Sequence, residues 1–352
     1  MNYIAQLDLL VSPDNDKSII PILLDKSKEV VGFYSHELDI VYPVIEDIII
    51  LMPLLQRDIV MEEKYLLMMM DYDELNHLIA LVVNTIQLLR QNNLNSSWVA
   101  EEADFWNHHY KSLDSIESSN WNERLFQREY MLPHIPQTPS CKVILDIGCG
   151  EGQNFIKLFS NHIVNQDTLY IALDASYSAL KSNKKHNKHN NKLFILGDAG
   201  FIPVIHKSVT HLFLFGVLHH TELKEKLLLQ INKYLVDSGV VLLVEPVVST
   251  QEAQQQLIHK IKSEGISSPY EERLVEWQLM EIISQAYDVD YMFKYQWVFY
   301  NFLSKRFDVL SNNKRLHNLL LYIDHYLGVI TKFMPQKYRS HEIMAILINK
   351  FK

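Results

Sequence analysis

A glycine run, four carboxylates and a histidine pair are the residues of this chain whose types and spacing could do chemistry. The run is Asp146-Ile-Gly148-Cys-Gly150-Glu-Gly152, a G-x-G-x-G preceded by an acid. Glycine lets the backbone turn sharply and lie close to a ligand, because no Cβ intervenes. Amides at the start of a following helix favour an anionic ligand group. Asp174 stands about 22 residues beyond Gly152. A carboxylate at that distance, on the tip of the next strand, is placed to accept hydrogen bonds from both hydroxyls of a ribose. Asp198 closes a third apolar run, His219-His220 a fourth and Glu245 a fifth. An imidazole with an ordinary pKa near 6.5 suits a base at neutral pH.

Elements must deliver these residues to one edge. "VILDIG" reads as a buried parallel strand and "QNFIKLF" as the helix after it. "TLYIALDAS" ends in Asp174, "KLFILGD" in Asp198 before "AGFIP", and "VTHLFLFGVLHH" in Gly216 and the histidine pair. A helix and "SGVVLLVEP" follow. Short apolar runs alternating with helical stretches predict an α/β sheet of βαβ units. Ligands of such sheets bind outside the carboxyl ends of the strands. Spacing then narrows the ligand. A dinucleotide fingerprint is G-x-G-x-x-G, so the third glycine here comes one residue early. The G-K-[ST] of a phosphate loop is absent, and Asp174 would repel a 2′-phosphate, which disfavours NADP.

With those residues in place, Asp146 to Gly152 resembles the first motif of class I S-adenosylmethionine-dependent methyltransferases. Asp174, "GDAGFIP", "LFLFGVLHH" and "LVDSGVVLLVEP" resemble that family's later motifs in order and spacing, over roughly residues 140–248. The resemblance implies an α/β fold with a Rossmann-like, seven-stranded sheet. It implies S-adenosylmethionine as cofactor, S-adenosylhomocysteine as product, and a zwitterionic, phosphate-free nucleoside as what the loop holds. Gly148 and Gly150, in the loop that Gly152 closes, would face the methionine part. Asp146 would orient either the loop or the amino group. Asp174 would hold the ribose, Asp198 and the Ala199 backbone would meet the adenine edge, and Phe215 or Gly216 would offer a carbonyl to the ammonium. A Rossmann-like domain for another ligand is the competing reading.

Two regions precede this domain of about 136–352. Residues 56–135 lack glycine and put Leu78, Leu81, Val82, Ile86 and Leu89 on one helical face. The end of this lead-in resembles the segment of such methyltransferases whose aromatics and arginine fold over the cofactor. Trp106, Tyr110, Trp121 and Arg124 match it loosely. A ring face attracts a sulfonium and an arginine clamps a carboxylate; plain packing is the alternative. Residues 1–55 read as short strands. "LDLLVSPDNDKSIIPIL" and Tyr42-Pro43-Val44-Ile45-Glu46-Asp47 resemble the small zinc-ribbon protein that activates tRNA- and release-factor-modifying methyltransferases. Ser12-Pro13-Asp14-Asn15 stands where that family has its cysteines, so a zinc-less unit and no metal are expected. The last strands are expected near Val289–Phe299 and His341–Phe351. A helical insertion about 300–338, with "EGISSPYEERLVEWQLM", is expected to form a lid or to pad the core.

The chain has 352 residues and a formal charge of −9, which disfavours nucleic acid as a partner. Its two cysteines exclude a disulfide framework and suit a cytoplasmic location. No apolar run is long enough for a membrane span. The patch "KSNKKHNKHNNK" reads as a fraying helix end rather than a metal or RNA site. Methyl transfer needs positioning above all, with a base where the acceptor loses a proton. His219 or His220 is the candidate base, and Glu245 a candidate for orienting the acceptor. The expected function is methyl transfer to an O or N nucleophile of a small molecule in secondary metabolism; a homo-oligomer is left open. The alternatives are a methyltransferase of tRNA or protein and a non-enzymatic binder of the cofactor.

Overall fold

The computed structural model describes residues 4–24, 27–92, 98–112, 128, 131–136, 142–161, 163–165, 167–264, 268, 271–296 and 340–350. The chain divides into two compact units. One comprises Met1–Asp114, Thr138–Phe213 and Lys233–Gly239; the other comprises Ser115–Gln137, Leu214–Asn232 and Val240–Lys352.

In the first unit a helical turn α1 (Ile4–Leu7) precedes the strands β1 (Ile20–Leu23), β2 (Val30–Ser35), β3 (Ile40–Ile45) and β4 (Ile48–Ile50). The helices α2 (Ile59–Met70), α3 (Ile79–Asn92) and α4 (Trp98–Ser112) follow. Then come β5 (Val143–Ile147), α5 (Gln153–Lys157), β6 (Leu169–Asp174), α6 (Tyr177–His186), β7 (Lys192–Leu196) and the greater part of β8 (Val209–Phe215). The strand order is β1-β2-β3-β4-β7-β6-β5. The meander β1-β2-β3 and the hairpin β3-β4 are antiparallel, whereas β4, β7, β6 and β5 are mutually parallel.

β4 is therefore the join. Ile48, Ile49 and Ile50 are all buried, the pattern of a strand covered on both faces, and Ile49 and Ile50 pair with Ile195 and Leu196 of β7. Its hairpin turn places Glu46 and Asp47 at φ of 49° and 60°, the twist that two-residue hairpins require and that non-glycine residues resist. Lysines of α6 hold that turn. Lys184 donates to the Glu46 carbonyl at 2.7 Å and to the Asp47 carboxylate at 2.6 Å, and Lys181 pairs with the Glu46 carboxylate at 2.8 Å.

The helical face expected from residue spacing is the one that packs. Leu78, Val82, Ile86 and Leu89 are buried with Ile22, Leu24, Val41, Leu66 and Met69, and Leu81 is half-buried. Each such side chain removed from water stabilises the unit by about 1.5–3 kcal/mol. Polar groups enter this core too: Thr85 Oγ1 accepts the Val41 amide at 2.9 Å, and Arg57 donates to the Val41 carbonyl at 2.8 Å while forming a buried pair with Glu62.

The second unit holds α7 (Lys224–Gln230), the greater part of β9 (Leu235–Val248), α8 (Gln251–Glu264), β10 (Leu274–Val275), α9 (Glu276–Ala286), β11 (Tyr287–Gln296) and β12 (Ser340–Asn349). β12 runs antiparallel to both β9 and β11, with Ile343 opposite Glu245 and Met344 opposite Phe293. The last two strands thus fall where expected, to within a few residues. Leu274 and Val275 pair with β9, and Leu279, Ile282 and Ile283 are buried. From Leu274 to Met280, Leu274, Val275 and Leu279 are buried, whereas Trp277 is exposed. The insertion about 300–338 lies outside the described residues. Among the described residues, no helix is long and apolar enough to cross a membrane.

Candidate functional site

The glycine run leaves β5 and bends three times. Gly148, Gly150 and Gly152 have φ of 61°, 53° and 73°, the left-handed region that side chains disfavour. A Cβ on Gly152 would lie 2.4 Å from the Asn183 side chain, so this glycine is needed for packing as well as for the bend. Asp146 stands near the end of β5. Its carboxylate is buried and accepts the Tyr170 hydroxyl from β6 at 2.8 Å. Burial and Asp146 raise the Tyr170 pKa, and burial, Asp174 and Asp146 raise that of the Cys149 thiol.

Asp174, at the tip of β6, grips the loop. Oδ2 accepts the Gly150 amide at 2.7 Å and Oδ1 the Ser176 amide at 2.8 Å. α5 is only five residues long, and the Gly150 amide is already held by a carboxylate. A loop fastened in this way is a poor cradle for phosphate and compatible with an uncharged ribose. Asp198 follows β7, where its Oδ1 accepts the Gly200 amide at 2.9 Å and its Oδ2 accepts Gln56 Nε2 at 3.0 Å, with Ala199 at the apex of the turn. Burial raises the Asp198 pKa, while the Gly200 and Gln56 hydrogen bonds oppose the rise.

α4 docks on α6 through a residue the sequence did not single out. Asn107 Oδ1 accepts the Ser176 hydroxyl at 2.9 Å and the Ser178 amide at 3.0 Å, so it caps α6 just beyond Asp174. On the same helix Trp106 donates its indole N–H to Glu102 at 2.9 Å. The side chain of Tyr110, and all of Trp121 and Arg124, lie outside the described residues. Near the start of the chain, Ser12 and Asp14 both bond the Tyr42 hydroxyl, at 2.8 and 2.7 Å. The Asp14 carboxylate also accepts the Leu54 amide at 2.9 Å. In the basic patch, His186 contacts the Ser182 carbonyl and His189 the Thr168 carbonyl.

In the second unit, the guanidinium of buried Arg128 lies 5.1 Å from the centre of the Phe215 ring. Gly216 has φ of 71° and donates to the Val244 carbonyl at 2.7 Å. The Glu245 carboxylate is fully buried. It accepts the amides of Val217, Leu218 and His219 at 3.2, 3.3 and 2.9 Å, and its Oε1 stands 2.5 Å from His219 Nδ1. Burial pushes its pKa up to about 7, against the lowering effect of those amides and of His220. His220 Nδ1 is 2.9 Å from the Ser268 hydroxyl, and the two imidazoles lie 4.0 Å apart. Glu271 joins them, with donor atoms of all three within 4.8 Å of one another. Arg273 pairs with that carboxylate at 3.3 Å and supplies its counter-charge. Glu271 was invisible to motif reading because it arrives from a separate loop.

Residues 139–296, a little under half of the chain, match the family model of a methyltransferase domain. The chain carries such a domain, on an α/β, Rossmann-like sheet. An uncharacterized protein of Methanocaldococcus jannaschii is 31% identical over 131 residues, covering 37% of this chain and 45% of that protein. The ribosomal RNA large subunit methyltransferase G of Vibrio campbellii is 36% identical over 76 residues, covering 22% of this chain and 18% of that enzyme. The chain thus spans less than half the length of either relative. Geranyl diphosphate C-methyltransferase from Streptomyces coelicolor, solved with S-adenosyl-L-homocysteine, superposes with a TM-score of 0.48 at 10% identity, covering 72% of this chain and 98% of that one.

Proposed function

We propose that the chain is an S-adenosylmethionine-dependent methyltransferase acting on an O or N nucleophile of a small molecule, in secondary metabolism. The observation that carries the cofactor reading is the bond from the Gly150 amide to Asp174, which joins a left-handed glycine loop to a strand-tip acid. Asp174 would hold the ribose, and Asp198 the adenine edge. Gly148 and Gly150 would admit the methionine part, while Asp146 acts from inside by fixing Tyr170 and the loop. Arg124, which lies outside the described residues, would clamp the carboxylate of the methionine part.

When bound, the cofactor supplies an electrophilic methyl carbon on a sulfonium. This chain's residues would then orient the acceptor and take its proton. His219 is the better base of the pair, because Glu245 fixes its Nδ1 and so sets the tautomer and ring plane. His220, Glu271 and Arg273 would line the acceptor's polar side. The net charge of −9 supports a small acceptor over an RNA backbone.

The test incubates the protein and a cell extract with methyl-labelled S-adenosylmethionine and then separates products by size. Label in the low-mass fraction is the expected result. Label in RNA or protein would overturn the small-molecule reading and leave the cofactor reading intact.

A further inference from the structure

Gln56 carries a buried acceptor beside Asp198. Its Oε1 is shielded from solvent, and no donor reaches it among the described residues. The orientation of the amide follows from chemistry. The carboxylate Oδ2 of Asp198 can only accept, so the Gln56 nitrogen must face it at 3.0 Å, and the carbonyl oxygen is turned the other way. A buried acceptor left unmatched is unfavourable, and its persistence in a fold calls for a partner that arrives later.

The topology explains why an N-terminal residue stands there. β4 is parallel to β7, so both strands discharge at the same sheet edge. The Leu51 amide still bonds the Leu196 carbonyl at 2.9 Å as the two chains leave. One chain then turns into Asp198. The other enters a short helical turn, Leu54–Gln56, whose first amide is tied to Asp14.

We propose that Gln56 completes the adenine subsite, accepting one N–H of the exocyclic amino group on Oε1 while its Nε2 steadies Asp198. The proposal rests on the cofactor reading above. It gives the N-terminal segment a direct part in recognising the ligand: an amino group satisfies the orphaned acceptor, whereas a keto oxygen at the same ring position would face it acceptor to acceptor.

Calorimetric titration with S-adenosylhomocysteine and with S-inosylhomocysteine, in which that amino group is replaced by oxygen, tests this. The native protein should prefer the amino ligand by about tenfold or more. Gln56→Leu should weaken S-adenosylhomocysteine about tenfold and leave the keto ligand within about twofold, so that the preference collapses. The ratio of affinities does not depend on how much of the variant is folded. A proportional loss for both ligands, or no loss for either, overturns the proposal while the cofactor reading stands. A native protein that binds neither removes the cofactor reading itself.

Discussion

Asp174 Oδ2 accepts the Gly150 amide at 2.7 Å, so the acid at one strand tip fastens the glycine loop that leaves the neighbouring strand. Its other oxygen accepts the Ser176 amide, and Ser176 in turn caps α6. One carboxylate therefore sets the loop, the helix start and, in the proposed reading, the ribose. Asp174→Ala should weaken S-adenosylhomocysteine binding by about 100-fold, since two charge-assisted hydrogen bonds of roughly 1.5 kcal/mol or more are lost together. Calorimetry on both proteins reads this directly, and an unchanged Kd would refute the assignment.

Gly152→Ala should lower thermal stability by several degrees, whatever it does to ligand binding. The backbone at φ of 73° costs a side chain about 1–2 kcal/mol, and the new Cβ meets the Asn183 side chain at 2.4 Å. Asn183→Ala in the same protein removes the collision but not the strain. The double variant should recover part of the loss. Additive effects of the two substitutions would show that the contact is unimportant.

Legibility in the sequence followed distance along the chain. The acids at the tips of β6 and β7 and the glycine bends could be read because local periodicity fixes a strand and its last residue. The α3 face could be read for the same reason. Gln56, Asn107, Arg128 and Glu271 could not. Each reaches its neighbours through a pairing or a packing choice, such as β4 lying parallel to β7, that no local pattern encodes. "QNFIKLF" does begin a helix, but the α-helix stops at Lys157 and a tighter turn takes over at Phe159.

The pairing of His219 with Glu245 predicts a pH profile. Burial raises the folded-state pKa of Glu245 from an ordinary 4.5 to about 7. Between those values the native state keeps a proton that the unfolded chain loses, so stability should fall as pH rises, by up to about 1.4 kcal/mol per unit, and level off above 7. Glu245→Gln should flatten that slope. It should also lower methyl transfer by about 10- to 100-fold, because the amide fixes the His219 ring less firmly. Denaturation midpoints from pH 4.5 to 8, with kcat at each pH, check both; a variant that retains the slope would assign it to another group.

The Ser12–Tyr42–Asp14 knot should behave as a cross-link made of hydrogen bonds. It occupies the segment where the resemblance to the zinc-ribbon activator places thiolates, and the Tyr42 hydroxyl is bonded to both Ser12 and Asp14. Burial, and then the Asp14 charge, raise the Tyr42 pKa, so the hydroxyl stays a donor at any physiological pH. Tyr42→Phe should cost about 1–3 kcal/mol, because the buried Ser12 and the Asp14 carboxylate lose a partner. Asp14→Ala should do more, since Asp14 also holds the Leu54 amide two residues before Gln56. It should therefore weaken S-adenosylhomocysteine several-fold where Tyr42→Phe does not. A zinc chelator should leave the melting temperature within about one degree. A large fall on chelation would mean that a metal, rather than this knot, ties the segment together.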